Sequence, residues 1–426
     1  MSRFYRFANY FLAVAILIIS FSATYFLIAN SEETNPAVAV SKNDSFSKPL
    51  TSLSDDDNRK FILGKNLFHG TSNDSRTLES RGIGPLYNAL TCGDCHGDGG
   101  ISDPDNSPSL NVKIFNETNP NNIDSAYGSQ IQTKATGNYF EEAKIVRFHD
   151  GGFRLTNLAF GELDKASFTY SRIAQKVVGL GLVESIPDEH FIANADPDDV
   201  DGDGISGEIG YSIDLSTNDV SIARFGTKAT EISVKNQSLK ASFEDLGLTN
   251  SMFGVTLCTE PTNCMRKPEM TLEQEEFLIF YTRTIAPPKS RMLSPQTKQG
   301  QKLFNSIGCS SCHTQSIKLE RSDLVKSDNT YIHPFSDFLL HSMGNELGDD
   351  QSISGRDSDE FRTAPLWGLG LIENVNGSLN LLHDGRAKTI DEAILFHGGE
   401  SLKSRNKYLE LTVKEKKAII SYLASL

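Results

Sequence analysis

Apolar residues follow two different patterns along the chain. Near the N-terminus they form an uncharged run from 11 to 28, whereas further on they recur at the three- and four-residue spacing of amphipathic helices, as in 277–281. Stretches with the character of short strands are few, and the clearest are 145–155 and 210–222. The pattern therefore predicts a mainly α fold with minor β insertions.

Capping signals mark where several of these helices begin. Ser54 precedes three aspartates, which favour a helix N-terminus through their charge. Ser294 is followed by Pro295, which suits the first helical position. Capping boxes, in which a Ser or Thr is followed three residues later by Glu or Gln, are formed by Thr271 with Gln274, Thr389 with Glu392, and Thr412 with Glu415.

The N-terminal apolar run has the layout of an export signal. Arg3 and Arg6 precede it, and the small residues 29–31 follow it. Its length also approaches that of a membrane-spanning helix. We therefore expect residues 1–30 to be a cleaved signal peptide or a membrane anchor, and both place the rest of the chain in the periplasm. Membrane contact is expected only through this segment. Residues 31–53 are rich in Ser, Asn, Ala and Pro and are expected to form a flexible tether.

Two parts of the chain repeat the same order of motifs. Each begins with a Gly-x-x-Leu-Phe stretch, continues to Cys-x-x-Cys-His, and later reaches Arg-x-Ala followed by Gly-Leu-Gly-Leu. Pro287 and Pro288 lie between the two copies and mark a boundary. We therefore expect two domains, 54–287 and 288–426.

The strongest chemical signal is the repeated Cys-x-x-Cys-His motif, which is the attachment signature of c-type haem. Two thiols bond the porphyrin, and the adjacent histidine becomes an axial iron ligand. Zinc would need four ligands gathered from Cys and His, and a redox dithiol leaves both histidines unexplained. We therefore predict two haem c groups in two duplicated cytochrome c-like domains. The residues are Cys92, Cys95 and His96 in the first and Cys309, Cys312 and His313 in the second.

The second axial ligand of each iron decides whether that iron can react. Ile390, Ile394 and His397 share one face of the helix capped by Thr389, so His397 is a candidate axial ligand of the second haem. Met343 is the alternative ligand. Aligning the two copies places Asn194 opposite His397, and Asn is a poor haem ligand. The first haem is therefore expected to have an open sixth position, with His190 and His149 as possible ligands from other directions.

An acidic stretch resembles the first half of a calcium-binding loop. Asp199, Asp201 and Asp203 alternate, and Gly204 is available for the sharp turn. The bidentate Glu expected at the twelfth position is replaced by Gly210. The sequence therefore predicts a Ca²⁺ site, with a solvated acidic turn as the alternative.

The two remaining cysteines lie close together in sequence. Cys258 and Cys264 flank a loop that contains Pro261. Outside the cytoplasm such a pair usually forms a disulfide. A free or catalytic thiol is the alternative.

Charge restricts the class of partner. The chain has 41 basic and 55 acidic residues, for a formal net charge of −14. This charge argues against binding nucleic acid or an anionic lipid surface. It suits a small basic electron carrier, so we expect a small electron-donor protein or cytochrome as partner.

With these motifs the chain resembles the bacterial di-haem oxidoreductase family, which includes peroxidases, and is more distantly similar to di-haem cytochrome c peroxidases. It also resembles, at that greater distance, the di-haem enzyme that matures tryptophan tryptophylquinone. The resemblance runs from about Leu63 to the C-terminus and rests on stretches 179–187, 195–207, 361–370 and 382–386. In those relatives a His-Asp-Gly stretch precedes the distal ligand of the second haem. The same stretch precedes His397 here, so the resemblance favours His397 over Met343.

Together these signals predict an exported di-haem c-type cytochrome oxidoreductase. The first haem would carry out a peroxidase-type reduction, and the second would relay electrons from a donor. A non-catalytic electron carrier and a protein-modifying di-haem oxidase are the alternatives.

Overall fold

The computed structural model describes residues 37, 46–50, 53–70, 83–97, 109–119, 123–148, 151–214, 217–254, 268–349 and 357–426. The predicted signal or anchor at 1–30 and the predicted Cys258–Cys264 disulfide lie outside these residues. The structure has about 33% helix and 16% strand, so helix predominates as expected. The α-helices are α1 Asp55–His69, α2 Cys92–His96, α3 Leu180–Glu184, α4 Asp188–Asn194, α5 Val234–Leu246, α6 Leu272–Thr284, α7 Pro295–Ser306, α8 Ile372–Asn376, α9 Ile390–Leu395, α10 Leu402–Glu410 and α11 Val413–Leu423.

The strands form antiparallel pairs of two. They are β1 Leu86–Tyr87, β2 Leu110–Asn116, β3 Lys134–Ala135, β4 Lys144–Arg147, β5 Phe153–Thr156, β6 Ser167–Ile173, β7 Tyr211–Ile213, β8 Val220–Ile222, β9 Ile317–Lys318, β10 Tyr331–Ile332, β11 Leu340–Ser342 and β12 Glu360–Arg362. The pairs β4–β5 and β7–β8 confirm the two stretches with strand character. The longest pair, β2 with β6, was not predicted, because its strands lie about fifty residues apart and no turn signal joins them.

The predicted helix starts are confirmed, with one difference. Complete capping boxes form at the helix starts capped by Ser54, Thr271 and Thr412. Ser294 caps α7, and Pro295 lies in the first turn of that helix. Thr389 accepts a hydrogen bond from the Glu392 amide, but the Glu392 carboxylate accepts from the Lys388 amide instead of closing the box.

Two close helix crossings have the same geometry. A Cβ added at Gly64 of α1 would lie within 3.0 Å of the Phe277 carbonyl oxygen in α6, closer than real Cβ atoms come. A Cβ at Gly300 of α7 would lie equally close to the Ala418 carbonyl oxygen in α11. Only glycine permits this approach of two backbones.

The repeated Gly-Leu-Gly segments pack in parallel ways against these crossings. A Cβ at Gly181 would lie within 3.0 Å of the Arg283 carbonyl oxygen near the end of α6. A Cβ at Gly370 would likewise lie within 3.0 Å of the Ala424 carbonyl oxygen just after α11. The sequence repeat thus corresponds to a repeated packing arrangement, whereas its division into two haem domains stays a prediction.

One apolar core runs through both repeats. It contains Phe61 and Tyr281 from the first crossing, Phe304 and Tyr422 from the second, and Trp367 between them. None of the helices in the described part of the chain combines the length and apolarity needed to cross a membrane.

The predicted flexible tether at 31–53 is wrong for residues 46–50. Phe46 and Leu50 are each only 2% exposed and belong to the apolar core. The Leu50 amide also donates a hydrogen bond to the Thr284 carbonyl at 2.9 Å. These apolar side chains are held in place because they pack beside the end of α6.

Candidate haem-binding sites

The first Cys-x-x-Cys-His motif forms the short helix α2. Thr91 caps this helix in a complete capping box with Asp94. Since Cys92 and Cys95 are three residues apart on one helical turn, their sulfurs share a face. The Nδ1 atom of His96 lies 2.7 Å from the Gln175 carbonyl oxygen. A carbonyl can only accept, so Nδ1 carries the proton and Nε2 keeps a lone pair.

The second motif follows α7 as a 3₁₀ turn at Cys309–Ser311. Gly308 precedes it with φ 99°, a conformation that favours glycine. The Nδ1 atom of His313 lies 2.8 Å from the Phe335 carbonyl oxygen. His313 therefore has the same tautomer as His96, with its Nε2 lone pair available.

His397 follows α9 and repeats this arrangement. Its Nδ1 atom lies 2.7 Å from the Ala393 carbonyl oxygen one turn earlier. Burial, with the charge of His397 acting in the same direction, lowers the pKa of His313 to about 4 against the opposing bond to the Phe335 carbonyl. The fold thus brings His313 and His397 close enough to interact.

Met343 lies beside the His397 segment through its backbone. A Cβ at Gly398 would lie 2.7 Å from the Met343 carbonyl oxygen, and the Met343 amide donates to the Asp359 carbonyl at 2.8 Å. Both candidate ligands therefore belong to the same part of the second repeat. The choice between them stays a prediction.

The ionisation of these groups fits haem attachment. Burial lowers the pKa of His96 and of His397, so both imidazoles are neutral, the form that binds iron. Burial also raises the pKa of Cys92 and of Cys309 to about 12. Each motif places two thiols beside one neutral imidazole, which is the donor set that covalent haem attachment uses.

A buried ion-pair cluster adjoins the second motif. His341 is 3% exposed, and it donates from Nε2 to Asp337 Oδ2 at 3.0 Å and from Nδ1 to Glu400 Oε2 at 2.6 Å. The same Nδ1 lies 3.8 Å from the Cys312 sulfur. Burial disfavours the charged ring, but the bonds to Asp337, Cys312 and Glu400 outweigh it and raise the pKa of His341 to about 12.

Cys312, Asp337 and His341 have ligand atoms within 4.8 Å of one another, a grouping that could hold a metal ion. Both His341 nitrogens already donate to carboxylates, so we interpret the cluster as an ion-pair network. Sequence reasoning missed this network, because the stretch around Met343 suggested only a thioether ligand. The one local signal is the four-residue spacing of Asp337 and His341.

The first motif has different neighbours. The charge of Asp245 acts on Cys92, Cys95 and His96. The Asp245 carboxylate accepts a hydrogen bond from the Gln130 side chain at 2.8 Å. The charge that acts on His96 is that of Asp245, whereas His397 acts on His313. The ring of His69 packs against the first motif, since a Cβ at Gly93 would lie 2.6 Å from His69 Nδ1.

The other polar residues considered as ligands in the first copy make their hydrogen bonds away from the first motif. Asn194 donates its amide to the His190 carbonyl of its own helix at 2.6 Å. The His190 Nε2 atom lies 3.2 Å from the Asp337 carbonyl oxygen, so it donates there and belongs near the second motif. His149 lies outside the described residues.

The acidic loop assembles a different set of carboxylates from the predicted one. Asp196, Asp199 and Asp201 have oxygens within 4.8 Å of one another. The carboxylate of Asp203 instead accepts from the Ile205 amide at 2.8 Å. Alternation in sequence suggested Asp203, whereas the turn brings Asp196 into the group. Calcium binding stays a prediction.

Residues 154–426 match the model of the family described as "Di-haem oxidoreductase, putative peroxidase". The chain belongs to this family. Haem cofactors are therefore implied for this member of the di-haem oxidoreductase family. The matched range includes the second motif and begins after the first, so the assignment of the first haem rests on its motif and its local geometry.

The solved structures found to be similar are distant. Hydrazine synthase of Kuenenia stuttgartiensis is 14% identical over 91% of this chain and 96% of its own, with a TM-score of 0.35. A MauG-like protein associated with microbial copper homeostasis is 14% identical over 93% of both chains, with a TM-score of 0.40. Similarities this weak add nothing to the argument. No curated protein matches the chain.

Proposed function

We propose that this protein is an exported di-haem c-type cytochrome that reduces peroxide or a similar small oxidant. In this proposal Cys92 and Cys95 hold the first haem, with His96 as its axial ligand. Cys309 and Cys312 hold the second, with His313 and His397 on its two faces. A small electron-donor protein in the periplasm would supply the electrons.

The tautomer shared by three histidines is the observation that carries this proposal. His96, His313 and His397 each donate Nδ1–H to a backbone carbonyl at 2.7–2.8 Å. Iron-ligating histidines characteristically donate their other ring N–H in this way, because the bond fixes the ring and makes the ligating nitrogen more basic. Two of these histidines adjoin a Cys-x-x-Cys pair, and the third interacts with one of them.

The asymmetry between the motifs supports a reactive first site. The charge of His397 acts on His313, whereas the charge that acts on His96 is that of Asp245, and the ring of His69 packs against Gly93 of the first motif. An iron with imidazole on both faces has no vacant position, while an iron with one axial ligand can bind a small molecule.

Haem iron, when bound, supplies one-electron redox chemistry and, where a position is open, a site for the oxidant. The chain's own residues would set the conditions for it. The Gln175 and Phe335 carbonyls hold the rings of His96 and His313 in orientation. Burial raises the pKa of Asp245 against the opposing charge of Lys113. Asp245 would therefore be able to hold a proton near the first motif.

Steady-state peroxide consumption with a reduced donor dye tests this function. We expect turnover by the wild type and loss of at least about tenfold when both cysteines of the first motif are replaced by alanine. The matched control is replacement of both exposed residues Ile62 and Leu63 by serine, which leaves both motifs intact. A non-catalytic electron carrier would give no turnover in any form, and that result would contradict the proposal.

A further inference from the structure

Near its tip, the β7–β8 hairpin presents apolar side chains outward, whereas Ile222 near its base packs in the core. Ile213 and Val220 lie directly opposite each other in the antiparallel register, so they share one face. They are 52% and 69% exposed, whereas Ser212 and Ser221 on the other face are half-buried. At this end of the hairpin the usual arrangement, in which the apolar face packs on the core, is reversed. Apolar side chains that share a solvent-facing surface are typical of an interaction surface.

Carboxylates are concentrated in the segment of chain that contains this face, and that segment carries no cations. Residues 195–222 contain eight Asp and Glu and no Lys or Arg. Asp214 and Asp219 directly adjoin Ile213 and Val220 in the chain. We call Ile213, Val220 and the carboxylates of 195–222 the acidic hairpin face. An apolar centre with an acidic rim complements a basic protein surface with an apolar centre.

Short contacts connect this face to the second motif. The Ser206 amide, in the loop before the hairpin, donates to Glu400 Oε2 at 3.0 Å. The same oxygen lies 2.6 Å from His341, whose ring is 3.8 Å from the Cys312 sulfur. Glu208 and Leu340 also exchange two backbone hydrogen bonds of 2.8 Å. The acidic hairpin face is therefore attached directly to the segment that surrounds Cys312.

We propose that the acidic hairpin face is the docking surface for a small, positively charged electron-carrier protein that reduces the second haem. This inference rests on the proposed function, because it assumes a haem at Cys309 and Cys312. One electron leaves the reduced metal centre of the carrier, which is oxidised, and enters the second haem iron, which is reduced from ferric to ferrous. No bond is made or broken. The apolar centre provides the contact and the carboxylates guide the encounter.

The test uses the full chain and a small basic cytochrome c as the probe. Calorimetric titration measures the dissociation constant at several ionic strengths, and stopped-flow absorbance measures reduction of the second haem by the ferrous probe. Ascorbate serves as a small reductant that needs no docking surface. Covalent haem is counted first, and a count below two contradicts the proposed function. Binding is measured whatever that count is, so the two failures are distinguishable.

Two variants and two matched controls decide the outcome. The double variant Ile213→Ser/Val220→Ser removes the apolar centre, and Asp198→Asn/Asp219→Asn removes charge from the rim. The controls are Ile62→Ser/Leu63→Ser and Asp55→Asn/Glu273→Gln, which change exposed residues of the same kinds on α1 and α6.

We expect the apolar variant to weaken binding about tenfold, with reduction by ascorbate unchanged. The rim variant should slow association about threefold and reduce its dependence on salt, because rim charges act mainly on the encounter rate. Controls should match the wild type. The proposal is overturned if the probe does not bind, or if the face variants and the controls bind equally. It is also overturned if size-exclusion chromatography shows a dimer that Ile213→Ser/Val220→Ser dissociates, because a second copy would then occupy the face.

Discussion

Replacing His341 with leucine should destabilise the protein strongly, because it removes the cation between two buried carboxylates. Asp337 and Glu400 have side chains only 4% and 12% exposed. Removing one partner of a buried ion pair costs about 3–5 kcal/mol. Backbone amides still donate to both carboxylates, from Leu339 at 3.0 Å and from Ser342 at 2.9 Å. We therefore expect the lower value, a loss of about 3 kcal/mol in the free energy of unfolding. For a cooperatively unfolding unit of ~150–250 residues this loss lowers the Tm by roughly 6–12 °C.

A matched variant separates charge from packing in this experiment. The triple variant His341→Leu/Asp337→Asn/Glu400→Gln leaves no uncompensated charge, so it should recover most of the stability lost by His341→Leu. Chemical denaturation of the haem-loaded protein gives the free energy of unfolding for each variant. A loss below about 1 kcal/mol in His341→Leu, or no recovery in the triple variant, would refute the account of this cluster.

The same cluster predicts a pH dependence with a definite sign. The pKa of His341 is raised from its usual 6.5 to about 12 in the folded protein. Between these values the folded state binds more protons than the unfolded state, so the stabilisation is complete below pH 6.5 and is lost as pH rises toward 12. Denaturation midpoints measured from about pH 6 to about pH 10 should fall more steeply for the wild type than for His341→Leu. Equal slopes would argue against a charged His341.

Three further predictions follow from the haem sites and the helix crossings. Replacing both cysteines of either motif by alanine should remove one covalent haem, and an unchanged mass of the mature protein would contradict this. His397→Ala should make the second haem high-spin and able to bind carbon monoxide while it stays attached, because attachment depends on the cysteines; an unchanged spectrum would favour Met343 as the ligand. Gly300→Ala should cost about 1–3 kcal/mol, since its Cβ meets the Ala418 carbonyl oxygen, whereas Gly254→Ala should be close to neutral, since a Cβ there meets nothing within 4 Å. Equal denaturation midpoints for these two glycine variants would show that the crossing tolerates a side chain.

Features specified by neighbouring residues were predictable from the sequence. Capping pairs such as Thr271 with Gln274 located helix starts, because both partners lie within one turn. The strand character of residues 210–222 located short strands for the same reason, and the structure pairs them as β7 and β8. The Cys-x-x-Cys-His motifs also carry their chemistry locally, so the candidate attachment residues needed no tertiary information.

Features that depend on distant segments were not predictable. The His341 cluster joins residues up to 63 positions apart, from Asp337 to Glu400, and contacts Cys312. The carbonyl that orients His96 comes from Gln175, 79 residues later in the chain. Phe46 has the surroundings of a linker in sequence, and only its packing in the core shows that it is fixed. In each case the tertiary fold supplies the partner.

Electron paramagnetic resonance of the haem-loaded protein, in the fully oxidised and half-reduced states, tests the central claim most directly. The two states are both needed, because a mobile distal ligand could occupy the first iron in one of them. The account predicts one low-spin haem with two imidazole ligands, His313 and His397, and one haem that is high-spin in at least one state and binds cyanide. If both haems remain low-spin and bind no added ligand in either state, the protein is an electron carrier and the proposed catalytic first site is wrong.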